Sequence, residues 1–229
     1  GEVIDQIKDP SRTVRGWYDQ LPQREVLGRC VAVDPALDGG NAVIALAWSM
    51  SHIWVLDLDV QYKLNRMSRI EDIMLEMILT YQADTVIVED KAFQKALFTS
   101  ERLHQWKQQY GFDVRAHTTG RDKHDPVFGV SKMESTMHGG LTIPYGDEHS
   151  SERMHPLVTQ LQMWRPDVPT KSLIQDAVMA LWFPWVYIVK ERRIRAMRDE
   201  SRRRLMQAPA STHRRLPFGK TTLPRHRRF

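Results

Sequence analysis

The sequence predicts a mixed α/β sheet that contains a three-strand antiparallel meander and carries helices on its faces. Three observations predict it. Three β-type runs separated by short turn-forming stretches lie between Arg29 and Asp57. An amphipathic helical period follows over Ser68–Tyr81, with Ile70, Ile73, Met74, Met77 and Ile78 on one stripe. From Thr85 onward, strand-type and helix-type segments alternate, which is the pattern of helices covering a sheet.

Residues 1–27 mix Pro10, Gly16 and Pro22 with charges and show no sustained period, so they read as a linker or lead-in with at most a short helix. Arg29–Asp34 is a short apolar run, and the turn-rich PALDGGN leads into a second run, Ala42–Met50. After the Ser51-His52 corner, Ile53–Asp57 supplies the third strand. Ser68–Tyr81 is a helix with Glu71, Asp72 and Glu76 available to solvent. Thr85–Glu89 is a buried-type strand, Thr99–Tyr110 a helix and Phe112–His117 another strand. Gly120–Gly129 is polar and turn-forming, Lys132–His138 reads as a short helix, and Leu141–Ile143 is a strand stopped by Pro144. Met154–Met163 reads as a helix. Ser172 and Gln175 fit a capping box at the start of the last helix, and Pro184 is positioned to kink it.

The chain has 229 residues, which is enough for one sizeable core, and the reading divides it into a lead-in (1–27), a catalytic-size domain (28–189) and a basic, flexible tail (190–229). The net charge of +5 conceals an asymmetry. Lys190–Phe229 holds fourteen Lys or Arg against three acids, a local balance of +11, and the remaining residues sum to −6. Such a tail suits contact with nucleic acid or an acidic protein surface, and equally suits a solubilising extension. No apolar run is long enough to span a bilayer, and the start lacks a signal-peptide pattern. Cys30 is the only cysteine, so no intramolecular disulfide forms and a cytoplasmic setting is expected.

Three acids interrupt apolar sequence. Asp34 ends the first strand before Pro35, Glu89 ends the fourth, and Asp176 lies just past the first turn of the last helix. Period two puts Asp34 on the face of Ala32 and Glu89 on that of Ile87; period 3.6 puts Asp176 on the stripe of Leu173, Ala180 and Phe183. Carboxylates beside a core need hydrogen bonds, cations or a metal, and hard divalent ions such as Mg²⁺ and Mn²⁺ take oxygen ligands. Each acid also has an ordinary reading: a turn before proline, a solvated strand end, a helix N-terminal charge.

In their order, these segments resemble the nuclease domain of the large terminase subunit of tailed bacteriophages, an RNase H-like family, over about Arg29–Pro184. VAVDPALDGGNAVIALAW resembles the first hairpin with its metal-binding Asp, TVIVEDKAFQ the second acidic strand end, and SLIQDAVMALW the acid-bearing helix; MHGGLTIPYG resembles the turn and strand before the terminase helices. Gln175 departs from the pattern, since the family has a pair of acids there. The resemblance implies an RNase H-like mixed sheet and a DNA endonuclease that cuts concatemeric viral DNA during packaging. It also implies two ions, Mg²⁺ or Mn²⁺, held by Asp34, Glu89 and Asp176, with Asp90 and Asp38 in reserve, and hydrolysis leaving a 5′-phosphate. Double-stranded DNA would be gripped through phosphates by Arg121, Lys123, His124, Lys132 and Lys91, residues that otherwise read as ordinary surface charge. An ATPase motor domain, a portal and a small terminase subunit would be partners, in the cytoplasm of an infected bacterium.

Other signals carry less. Gly219-Lys220-Thr221 looks like the end of a phosphate-binding loop, but Arg214 stands where its first glycine belongs and no apolar strand precedes it. His149 and His155 match no zinc spacing, and Trp182, Phe183, Trp185 and Tyr187 read as core packing. Two alternatives remain open at the level of sequence: a RuvC-like junction resolvase, and a non-catalytic nucleic-acid or portal-binding module.

Overall fold

A computed structural model describes residues 2–35, 40–62, 67–89, 100–117, 129–164 and 175–207. The meander forms as the alternating apolar runs require. Strand β2 (Gly28–Asp34) pairs antiparallel with β3 (Gly40–Trp48), which pairs antiparallel with β4 (Ile53–Tyr62). A bulge at Ala45/Leu46 in the β3–β4 ladder restores the alternation of faces beyond it, leaving Asp57 opposite Ala45. Three short elements precede the meander: α1 (Glu2–Ile7), which leads into β1 (Lys8–Asp9), and α2 (Trp17–Gln20).

After the meander come α3 (Met67–Tyr81), β5 (Thr85–Glu89), α4 (Glu101–Tyr110) and β6 (Asp113–His117). A 3₁₀ turn at Val130–Lys132 leads to α5 (Met133–Met137), β7 (Leu141–Pro144), α6 (Glu148–Met163) and α7 (Asp176–Gln207). The strands form one seven-stranded sheet in the order β1-β7-β4-β3-β2-β5-β6. β5 runs parallel to β2, β6 to β5, β7 to β4 and β1 to β7.

Both faces of the sheet are covered, which is why β3 and β5 are buried along their whole length. On one face Ala32, Ile44, Leu46 and Ile87 pack with Ala177, Leu181 and Phe183 of α7 and Met154 and Leu157 of α6. On the other, Val31, Val33, Val43, Val86 and Val88 meet Ile70, Ile73, Met74, Met77 and Ile78 of α3. Glu71, expected in solvent, is buried: Ser100 Oγ donates to it at 2.5 Å and Arg102 Nη1 at 3.1 Å, so it ties α3 to the start of α4. Ser100 also caps α4, and Gly111 closes that helix in the left-handed conformation at φ 75°.

Three boundaries differ from the sequence reading. Residues 1–27 are not a lead-in: Ile4, Ile7, Val14, Leu21 and a fully buried Trp17 enter the two cores, and β1 forms an edge of the sheet. The Val14 N–H bonds Ser150 Oγ at 2.9 Å, 136 positions away. α6 begins six residues before Met154, because Asp147 caps it by accepting from Ser150 N at 2.8 Å. The last helix starts at Asp176 and continues through Pro184 to Gln207, so the first part of the basic tail is helical; Ser172 and Leu173 lie outside the described residues.

The chain divides into two units, Gly1–Arg192 and Arg193–Phe229. Arg192 belongs to the first, its guanidinium donating to the Ser49 and His52 carbonyls at 2.7 and 2.8 Å. Within the second unit, 193–207 expose Met197, Leu205 and Met206, and Arg204 pairs with Glu200 one turn away. No helix among the described residues is long and apolar enough to cross a membrane.

If the N-terminal segment is an integral part of the first unit, Trp17→Ala should cost about 3–5 kcal/mol of stability, the range for emptying a buried tryptophan site. Urea unfolding of the full chain checks this. A change under about 1 kcal/mol would return the segment to the status of a lead-in.

Candidate functional site at the acidic strand ends

The first two acids are brought level by strand register. Val33 pairs with Val88 in the parallel β2–β5 ladder, and Asp34 and Glu89 are the next residue of each strand. Pleating puts both on the face of Ala32 and Ile87, the face covered by α7. Asp34 is half-buried and Glu89 is buried. Glu89 in turn pairs with His117, the last residue of β6. The His117 ring lies 5.0 Å from Trp182, edge-on, and 4.8 Å from Phe183, so α7 is packed against this corner of the sheet through aromatic contacts.

Asp176 is the first residue of α7, and the chain fixes it from three sides. Its Oδ2 accepts the Gly40 N–H at 3.1 Å, linking the helix to the first residue of β3. A Cβ at Gly40 would stand 2.6 Å from that oxygen, so the approach requires glycine for space. Gln160 of α6, itself buried, accepts from the Ala177 and Val178 N–H groups at 2.9 and 3.2 Å. These are two of the donors that a helix N-terminus leaves without an internal partner, so Gln160 acts as a cap supplied by another helix. Tyr62, the last residue of β4, is opposite Gly40 in the ladder, and its ring would lie 3.0 Å from the same added Cβ.

Burial raises the Asp176 pKa above the usual carboxylate range, against the lowering effect of the Gly40 N–H and of its own N–H. The Tyr62 phenol is also raised, first by burial and then by the Asp176 charge, while the neighbouring Gln160 amide opposes the shift.

The structure therefore puts Asp34, Glu89 and Asp176 on one face at one end of the sheet. Among the described residues, however, no three His, Cys, Asp or Glu side chains form a group that could hold a metal ion. Asp38, Asp90, Lys91, Arg121, Lys123 and His124 lie outside the described residues; Lys132 is exposed at the turn before α5. Gly40, Tyr62, Gln160 and His117 went unselected in the sequence. Gly40 carried the one usable signal, a glycine where a turn-rich stretch enters an apolar strand.

A cleft of about 540 Å³ opens on the opposite face of the sheet, between α3, β4 and α6. Its strand acids are already satisfied: Arg153 lies 2.7 Å from Asp57 Oδ1 and 3.2 Å from Asp59 Oδ2. For that reason the strand ends, and not this cleft, are the place to look for chemistry.

An RNase H-like mixed sheet with flanking helices is the class that this topology defines, and solved structures share it. The human cytomegalovirus terminase nuclease domain, Mn-soaked and inhibitor-bound, superposes with a TM-score of 0.52 at 18% identity over 74% of this chain and 90% of that one. The P22 large terminase nuclease domain gives a TM-score of 0.52 at 12% identity over 80% and 88%. No protein-family model and no curated protein sequence matches this chain.

Because the Asp176 pKa is raised in the folded state, its neutral form is the one the fold favours. That contribution is complete below the unfolded value of about 3.9 and is lost as pH rises through the raised folded value. In EDTA at pH 7, Asp176→Asn should therefore equal or exceed the wild type in stability, with the difference shrinking toward pH 4. Denaturant unfolding over a pH series reads this directly. A variant clearly less stable at pH 7 would show that the Asp176 charge is stabilised in the fold. Gly40→Ala should cost about 1–3 kcal/mol, as overpacking does.

Proposed function

We propose that this chain is a divalent-metal-dependent endonuclease that cuts double-stranded DNA, acting on concatemeric viral DNA during genome packaging. The observation that carries the reading is the placement of Asp34, Glu89 and Asp176 on one face at one end of an RNase H-like sheet. Three carboxylates are an oxygen donor set of the type hard divalent cations take, which fits Mg²⁺ or Mn²⁺, two ions in the proposal. Such ions, when bound, supply positive charge against the charge that develops on the phosphate during hydrolysis. The Mn-soaked structure is that of the cytomegalovirus domain; metal use here rests on the donor chemistry.

The chain's own residues prepare the site. The sheet holds Glu89 on a buried strand with no freedom to leave its face, and the cap from Gln160 together with the Gly40 N–H fixes the first turn of α7 and the Asp176 carboxylate. Asp34 stands at the open end of β2 before Pro35, half-exposed and reachable by a phosphodiester. Asp38 and Asp90 are reserves in the same two segments. Phosphate contacts are assigned to Lys132, Lys91, Arg121, Lys123 and His124, and the basic 193–229 segment adds charge for DNA or an acidic partner. The remaining members of the proposed machine are an ATPase motor domain, a portal and a small terminase subunit, in the infected host's cytoplasm.

Plasmid digestion with Mn²⁺, Mg²⁺ or EDTA tests the reading. Asp34→Asn, Glu89→Gln and Asp176→Asn should each reduce Mn²⁺-dependent cutting at least about 100-fold in folded protein. Near-normal cutting by Asp34→Asn would sink the assignment, and strong preference for four-way junctions would move it to a resolvase. Mn²⁺ should also raise the wild-type melting temperature, by an amount equivalent to about 2.7 kcal/mol at a hundred times the dissociation constant, and Asp176→Asn should lose much of that gain.

Removing residues 193–229 should leave cutting chemistry intact while flattening the fall of DNA affinity with salt, since fewer phosphates would then be neutralised. An unchanged slope, measured by anisotropy across a salt series, would exclude DNA contact by this segment.

A further inference from the structure

We infer that Tyr62 contacts the DNA strand at the acidic strand ends, its hydroxyl donating a hydrogen bond to a backbone oxygen of the bound nucleic acid; this rests on the nuclease reading above. Gln160 spends its amide oxygen on the Ala177 and Val178 N–H groups, so its –NH₂ is the only end it can offer to Tyr62. That nitrogen is buried and meets no hydrogen-bond partner among the described residues. A phenol hydroxyl can donate and a phosphodiester oxygen only accepts, so a contact between them has Tyr62 donating.

Asp176 acts on Tyr62 through its charge, without a hydrogen bond between them. The side chain is 54% exposed although its ring is packed at Gly40. An aromatic side chain presented this way gives a ligand both a flat face and a fixed donor. Its position selects the acceptor. Tyr62 is opposite Gly40 in the β3–β4 ladder, and Gly40 N–H holds Asp176, so a phosphodiester placed against the acids passes within reach of the phenol. The neighbouring phosphate oxygens are strong acceptors, and no base identity is needed to satisfy them.

The experiment uses the full chain and a short fluorescent duplex. Binding is measured by anisotropy with Ca²⁺ in place of Mn²⁺, and cleavage is measured separately with Mn²⁺. Tyr62→Phe, which keeps the ring and removes the donor, should raise Kd and KM together by about threefold to tenfold, the effect of one hydrogen bond, with kcat within about twofold. Tyr62→Ala should lose more, because the ring face goes too. If the wild type binds and cuts while Tyr62→Phe matches it in Kd and KM, the contact is overturned and the nuclease reading stands. A fall in kcat with unchanged Kd and KM overturns the contact as well, since the hydroxyl would then act in the chemical step. A wild type that neither binds nor cuts the duplex overturns both.

Discussion

Parallel pairing of β2 with β5, in register at Val33 and Val88, sets the level at which two carboxylates leave the sheet, and the rest of the site is arranged around that level. Strand side chains alternate, so a slip of one residue in either strand would carry its acid to the α3 face, among Val31, Val33 and Val88. The apolar residues that precede each acid in its strand make that slip costly. Registry of the acids is thus a by-product of burying two valine-rich faces, and the core fixes the position of groups that contribute nothing to it.

A buried acid, Asp57, and a half-buried one, Asp176, show how differently a fold can treat a carboxylate. Asp57 faces a bidentate Arg153 and the Tyr81 hydroxyl, so its charge is compensated in place. Asp176 has one backbone N–H from Gly40 and an elevated pKa caused by burial. Arg153 could have been spent on either end of the molecule. It covers the length of β4 that runs past β7, whose pairing with β4 stops at Trp54 and Thr142. An edge strand with its outward acids neutralised is a structural solution. A helix-terminal acid left under-compensated at the carboxyl ends of two parallel strands is a different matter, because it leaves room for an outside cation.

The meander, β5, α3 and the alternation after them were legible in the sequence, because each is written in a period of two or 3.6 and bounded by turn residues. The three acids also stand out in the sequence beside apolar runs, and their role is part of the proposal. What was not legible has a common physical character. Trp17 and Ile4 gave no periodicity because their segment is held by tertiary burial and by a bond to Ser150, 136 positions away from Val14. Glu71 looked solvated because its partners, Ser100 and Arg102, are about thirty residues distant. Gln160 sits on a helix face like any glutamine, and its role as cap of another helix depends on a crossing that no local pattern encodes. The start of α6 was hidden because its first turns are polar, with Pro156 in the ninth position as a further distraction.

The last helix draws these threads together. Its first residue is bonded to β3, its next two N–H groups to α6, and Trp182 and Phe183, about two turns in, pack against His117 at the end of β6. Sixteen positions after Asp176, Arg192 grips the β3–β4 corner through two carbonyls. Each contact belongs to a different element, and together they span the sheet from β6 to β4. A helix attached at its start and again midway cannot slide or rotate without breaking hydrogen bonds at one of the two. Asp176 thereby inherits the rigidity of the whole sheet, although it lies on a helix terminus, where chains ordinarily fray. Placing an acid on the most firmly anchored end of the longest helix is how a site can be both positioned and partly exposed: the anchoring is carried by backbone groups and buried amides, and the carboxylate is left to face whatever approaches the strand ends.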